Sequence, residues 1–362
     1  MKKRVRETRI LVVLFAALAL CAATSAQESH QKPTIVQTKY DVQPSAPEKN
    51  NPHPENPTKA VLAAFDKYEV VGMGAGHGYK DLDDLILHLL RDPAFPDKVN
   101  DVVVECGNSL YQSTLDRYIA GGEVSLSEVR QVWRNTTQPM CSTSGFYEIL
   151  FPLIRRINQR LPPQKRLRML AGDPPVDWSQ VTKQSEVMLD RDASIASVMQ
   201  TEVLSKHRKA LMLFGEFHLF HSKPNAPEGL ESAVQRYEKH YPGVTMVIGG
   251  AMVFIFPDSP PATGEELEAR MASWPAPSLV QNIKSTWLWE ADKTYFSKMV
   301  DAYLYLGPSS LMLVEPRPAE MFSNKSYMEE LRRRAAIIGD RFITDQMNSD
   351  NLSDLNYSPF LF

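Results

Sequence analysis

Short apolar runs, each ending on a glycine or a polar residue, alternate along this chain with longer segments of helical period, and few architectures accept that pattern. Tyr68 to Met73, Val102 to Val104, Arg168 to Ala171, Ala210 to Phe214, Val244 to Ile248 and Val253 to Phe256 read as strands. Between and around them, Leu82, Leu85, Ile86, Leu89 and Leu90 recur at helical spacing. The stretches Leu110 to Ile119, Leu126 to Trp133, Phe146 to Leu161, Arg191 to His207, Glu265 to Met271 and Tyr327 to Ile338 read as further helices. Near-continuous apolar strands need cover on both faces. The expected fold is therefore α/β, a mostly parallel central sheet with helices on both faces and room for a helical insertion.

The amino terminus has a different logic. Lys2, Lys3, Arg4, Arg6 and Arg9 precede an apolar stretch from Ile10 to Ala23, and the small residues Thr24, Ser25 and Ala26 follow. This is the pattern of a secretory signal peptide over residues 1–26, too short to span a bilayer. The run Leu18-Ala19-Leu20-Cys21 offers a lipoprotein alternative, but Leu20 is bulky where lipid attachment needs a small residue. Residues 27–57 are rich in Pro, Asn, Glu, Gln and Ser and read as a tether, leaving 58–362 for the folded domain. No later segment is apolar and long enough to span a membrane.

Loss of residues 1–26 would move the formal charge from -3 to about -7. That sign argues against nucleic acid as a partner. In an oxidising compartment, Cys106 and Cys141 could pair, or remain two small buried side chains.

In parallel sheets ligands bind beyond the carboxyl ends of the strands, so the residues that follow each run are the suspects. They are Gly74-Ala75-Gly76-His77-Gly78, Glu105-Cys106-Gly107-Asn108, Ala171-Gly172-Asp173-Pro174-Pro175 and Gly215-Glu216-Phe217-His218. A neutral imidazole at such a rim can take a proton from water or bind a metal. Two Gly-x-x-His strand ends, with an acid closing two other strands, point to one polar site. Glu105, directly after three valines, is awkward to pack unless it has a role or pairs with an arginine such as Arg191. Asp173 has a rival role, fixing the turn into Pro174-Pro175.

Other signatures are missing. Gly74 and Gly76 begin a G-x-G, but the third glycine of a dinucleotide loop is missing, and Gly78 comes too early for it. Phosphate-loop, serine-elbow, H-E-x-x-H and C-x-x-C patterns do not occur. His221 follows His218 by three residues in a loop and reads as a supporting or surface residue. His88 lies among leucines, His207 and His240 end helices, and His30 and His53 fall in the tether.

Gly74-Ala75-Gly76-His77, Glu105, Asp190-Arg191-Asp192, Gly215-Glu216-Phe217-His218 and Asp301-Ala302-Tyr303-Leu304-Tyr305-Leu306 together resemble the erythromycin esterase, ChaN and Tiki/TraB superfamily. The likeness spreads over residues 68–308 as short motifs in consistent order. It implies an α/β site around two Gly-x-x-His motifs, a Glu after the second strand and an Arg in a later helix. For an esterase-like member, the resemblance implies His77 as the base acting on water, with Glu105, Arg191 and His218 in support. For a Tiki-like peptidase it implies His77, Glu105 and His218 as ligands of a divalent metal, and for a ChaN-like protein it implies haem binding without catalysis. The first motif commonly carries Glu where this chain has Ala75, whereas the second keeps Glu216. The expected activity is an exported, periplasmic or secreted hydrolase acting on a small-molecule or peptide substrate, with haem or metal binding as the alternative.

Overall fold

The computed structural model describes residues 52–75, 77–222, 230–250, 271–281 and 296–339. The expected signal peptide, nearly all of the tether, the strand at Val253 to Phe256 and all but the last residue of the helix at Glu265 to Met271 lie outside them.

Seven strands form one sheet: β1 Val70–Gly74, β2 Asp101–Asn108, β3 Arg168–Asp173, β4 Ala210–Phe214, β5 Thr245–Gly249, β6 Ser278–Gln281 and β7 Ala302–Tyr305. Their order is β3-β2-β4-β1-β5-β7-β6. Every pairing is parallel except β6 against β7. The mostly parallel sheet expected from the apolar runs is therefore present. Strands β6 and β7 were not anticipated, because Ser278 to Gln281 offers only two consecutive apolar residues and Ala302 to Tyr305 sits within a mixed aromatic motif.

Side chains alternate across β2: Val102, Val104 and Cys106 enter one core, while Val103 enters the other. The first core is closed by α1 Pro57–Ala64, α2 Lys80–Arg91, α3 Phe95–Lys98, α4 Gln112–Ile119, α5 Leu126–Arg134 and α6 Gly145–Arg160. The second is closed by α7 Arg191–Val198 and α8 Ala233–Glu238. Helices thus cover both faces, and the β2–β3 connection carries the helical run α4 to α6.

Local chemistry explains several boundaries. Pro57 starts α1 behind Asn56, whose side chain accepts from Lys59 N at 3.0 Å. Glu55, just before it, pairs with Leu279 of β6. Ser125 and Glu128 form a reciprocal capping box at α5. The single helix expected from Arg191 to His207 is three pieces: α7, a π-helical turn over Met199–Val203 and a 3₁₀ turn over Leu204–Lys206. The wider turn keeps Met199 and Val203 fully buried against the sheet.

Cys106 of β2 and Cys141, just before α6, form a disulfide with a Cα–Cα distance of 5.4 Å. Among the described residues, no helix is long and apolar enough to cross a membrane.

Candidate active site

The topology marks one rim position before any side chain is considered. From β2 the chain leaves toward β3, whereas from its neighbour β4 it leaves toward β5 on the opposite side. Connections that diverge from adjacent strands leave a crevice at their carboxyl ends. His77 follows β1, His218 follows β4, and Glu105 lies near the end of β2, which pairs with β4.

Glu105 shares its side of β2 with Val103 and points toward α7, which presents Arg191 in its first turn. The two form an ion pair of 2.8 Å between Arg191 Nη2 and Glu105 Oε1. Glu105 Oε2 accepts from Gly215 N at 2.6 Å and lies 3.3 Å from His77 Nε2. Glu105 Oε1 is also 3.7 Å from His218 Nε2. One carboxylate therefore gathers both histidines, the arginine and a backbone amide. Burial alone would push its pKa up, but the Arg191 guanidinium, followed by His77 and His218, holds it well below the ordinary value. Glu105 is ionised across the working pH range.

Arg191 reaches a second carboxylate: Nε donates to Asp173 Oδ1 at 2.7 Å. Asp173 is fully buried and also accepts from Thr137 N at 2.5 Å and from Thr137 Oγ1. The turn reading of Asp173 gives way to a role in this network. Burial opposes the Arg191 charge, but Asp173 and Glu105 outweigh it and raise its pKa.

The histidines differ. His218 ends a 3₁₀ turn anchored by the fully buried Leu219 and Phe220. Its Nε2 lies 3.3 Å from Arg191 Nη1, and its Nδ1 lies 2.8 Å from Asp192 Oδ1. A guanidinium can only donate, so the network assigns Nε2 as acceptor and the proton to Nδ1, aimed at Asp192. Both ring nitrogens are engaged. His77 stands in the turn after β1, where Gly78 has φ +91° and its carbonyl accepts from Glu315 N at 2.8 Å. Its Nε2 is buried and near Glu105, yet it makes no hydrogen bond of acceptable geometry.

Asp192, which the sequence offers only as the last residue of the Asp-Arg-Asp motif, orients His218. Its neighbour Asp190 caps α7 by accepting from Ala193 N at 3.0 Å. An acid immediately following the site arginine at a helix start was the available signal. Tyr147 of α6 is buried, and burial, Glu105, Asp83 and Glu315 raise its pKa well above the ordinary phenol range. Glu216 accepts from Gly250 N at 2.8 Å and thereby ties the β4 turn to the end of β5. His221 belongs to a separate cluster, with Nε2 2.8 Å from Asp301 and Nδ1 3.1 Å from Glu238.

The metal set His77, Glu105 and His218 does not fit a divalent cation. The Arg191 guanidinium bonds Glu105 Oε1 and approaches His218 Nε2, so a fixed cation already holds the space between those donors. Nor does His218 have a free nitrogen for a haem iron.

No protein-family model matches the sequence, and no curated protein matches it. Solved structures are similar in fold. A succinoglycan biosynthesis protein superposes with a TM-score of 0.52 at 8% identity, covering 73% of this chain and 95% of that one. A protein from Bacillus cereus does so at 0.49 and 11% identity, covering 73% and 96%. An erythromycin esterase mutant in its open conformation follows at 0.45 and 12% identity, covering 69% and 93%. The first of these carries the shared α/β fold and nothing about activity.

Proposed function

We propose that this chain is an exported hydrolase that cleaves an ester or peptide bond in a small-molecule or peptide substrate, with water as nucleophile and His77 as base. The observation that carries this reading is the His77–Glu105 contact of 3.3 Å at the carboxyl-end rim of the sheet. A carboxylate kept ionised beside an imidazole favours the tautomer with its proton on Nε2 and stabilises the imidazolium once it forms. Nδ1 then keeps its lone pair for the attacking water.

The water proton passes to His77 as the oxygen bonds to the substrate carbonyl, and the imidazolium returns that proton to the leaving oxygen or nitrogen. Arg191 holds Glu105 and His218 in register, and Asp192 fixes the His218 ring. These are positioning roles, because both carboxylates that Arg191 meets neutralise it. Ala75 stands where the family motif commonly has Glu, and among the described residues Glu105 is the acid within ion-pair distance of His77. The haem- or metal-binding alternative with His77, Glu105 and His218 has less support, given the guanidinium between the donors.

The test is a panel of ester and peptide substrates run on wild type, His77→Ala and Glu105→Gln, with far-UV circular dichroism to check folding. Hydrolysis that falls at least about 10²-fold in folded His77→Ala supports the reading. Hydrolysis retained by that variant overturns it.

A further inference from the structure

The segment that follows β7 lays apolar side chains beside the turn that carries His77, on the solvent side. We propose that Tyr79 and Val314, with Leu311 and Leu313 beside them, bind an aliphatic chain of an ester substrate. The proposal deepens the hydrolase reading and rests on it for the bond that is cleaved.

Backbone pairing sets the position. Two residues of chain keep the Tyr79 Cα within about 7 Å of the His77 Cα. Tyr79 forms an antiparallel bridge with Val314. Around it, Glu315 N donates to Gly78 O at 2.8 Å and Lys80 N donates to Leu313 O at 3.0 Å. Residues opposed in this way project from one face, with Cβ atoms about 4.5–5.5 Å apart. Side chains pin the segment as well: Asp81 Oδ2 accepts from Leu313 N at 2.7 Å, and Glu315 Oε1 accepts from Ser144 Oγ and Phe146 N, each at 2.6 Å. The apolar surface is therefore preformed, and it begins next to the base.

Exposure marks it as a contact surface. Val314 is 79% exposed and Leu311 72%, while Leu313 and Tyr79 are also exposed. Single exposed apolar residues are ordinary, but a group of them on one fixed segment signals a partner. The run from Leu306 to Val314 holds no ionisable side chain, in a chain that is 23% charged.

Size and charge select the occupant. Together the four side chains expose on the order of a few hundred Å², well short of the ~800 Å² that each partner gives to a standard protein interface. The flanking charges are Asp81, Glu315, Arg317 and the Lys80–Asp84 ion pair, with no excess of basic residues to hold an anionic lipid surface. A narrow, charge-free strip continuous with the catalytic rim suits one hydrocarbon chain. Full burial of a methylene is worth about fourfold in affinity, and a chain lying on an open surface gains about half of that free energy, or roughly twofold per methylene.

The test has two arms, both on the full-length chain. In the binding arm, N-alkyl dansylamides with butyl, octyl and dodecyl chains, kept below micelle-forming concentrations, are titrated by fluorescence anisotropy. In the turnover arm, KM and kcat are measured on p-nitrophenyl acyl esters and on alkyl acetates of matching lengths, which put the chain on the acyl or the alcohol side. Wild type is expected to bind the octyl probe at least about 10-fold more tightly than the butyl probe. KM should fall likewise on one of the two ester series, with kcat little changed. Val314→Asp and Leu311→Ser should each cut the preference to about threefold or less. Leu126→Asp should keep it, because Leu126 is exposed at the start of α5, a helix length away from the rim, where Asn135 meets Asn108. Equal affinity for the three chains would overturn the proposal, as would a preference that both folded variants retain. A dimer that Val314→Asp dissociates in light scattering would assign the surface to a second copy. Cosedimentation with phosphatidylcholine vesicles that the same variant loses would assign it to a membrane, and either result overturns the proposal. Because the binding arm needs no turnover, chain preference without hydrolysis would count against the hydrolase reading alone, and hydrolysis without chain preference against this surface alone.

Discussion

Arg191 and Glu105 form the buried ion pair, 2.8 Å long, on which the site is organised. Arg191 is also the cation that Asp173 meets, at 2.7 Å, so one side chain neutralises two buried acids. Removing one partner of a buried pair leaves an uncompensated charge, which typically costs about 3–5 kcal/mol. Arg191→Met is expected to lose that much at pH 7 in urea denaturation. The folded-state pKa of Glu105 lies below its unfolded value, so its contribution is present above the ordinary carboxylate range and is lost as pH falls. The gap between wild type and Arg191→Met should therefore narrow toward pH 4. A gap that is constant with pH would mean that the loss is packing and not charge.

Asp192→Asn tests the tautomer assigned to His218. Asp192 Oδ1 accepts both the Nδ1 proton and the Ala233 N–H, each at 2.8 Å, whereas an amide that turns its NH2 to the ring presents a donor and favours the other tautomer. That tautomer would turn Nε2–H toward the Arg191 guanidinium, donor against donor. Nitrogen-15 shifts of the imidazole should exchange between the two ring positions, and turnover on the best substrate should fall by about 10²-fold or more with little change in KM. An unchanged tautomer with lost activity would assign Asp192 another task.

Much of this site was legible because parallel strands end at one rim. His77, Glu105 and His218 each follow an apolar run within a few residues, and the sheet order brings them together without long-range information. Arg191 was legible as a partner for an acid that packing alone could not explain. Asp173 was harder, because Asp before Pro-Pro satisfies a turn equally well and only the position of α7 decides. Asp192 was hidden by helix phase: nothing local says that the first turn of α7 faces β4. The strands β6 and β7 were missed because an antiparallel edge pair needs no long apolar run. The Cys106–Cys141 pairing cannot be read from spacing, since it depends on where the α5–α6 connection crosses β2.

His221 supplies a prediction about alkaline stability. Burial would lower its pKa, but hydrogen bonds to Asp301 and Glu238, and their charges, push it up to about 9. A histidine whose folded pKa exceeds its unfolded value of 6.5 stabilises fully below the unfolded value, and that contribution is lost as pH rises through about 9. Asp301 Oδ2 also accepts from Val247 N at 2.8 Å, so the cluster braces β5. His221→Gln should lose on the order of 2–3 kcal/mol at pH 6 and approach wild type by about pH 10. Equal deficits at both pH values would mean that the histidine acts through shape alone.

Gly74 is the position where the first motif and the second touch. A Cβ there would stand 2.3 Å from Glu216 Cγ and 3.0 Å from its Cδ, and Glu216 is held in place by Gly250 N. The side chain cannot retreat without giving up that hydrogen bond, so Gly74→Ala should cost about 1–3 kcal/mol through overpacking. Glu216→Ala alone should cost about 1–3 kcal/mol, because the Gly250 amide loses its acceptor. The double variant removes the clash together with the bond, so its loss should fall short of the two single losses combined by more than about 0.5 kcal/mol. Urea denaturation of the four proteins measures that coupling. Losses that simply add would mean that the end of β1 and the turn after β4 are not in contact, and the packing that keeps His77 and His218 on one rim would need another source.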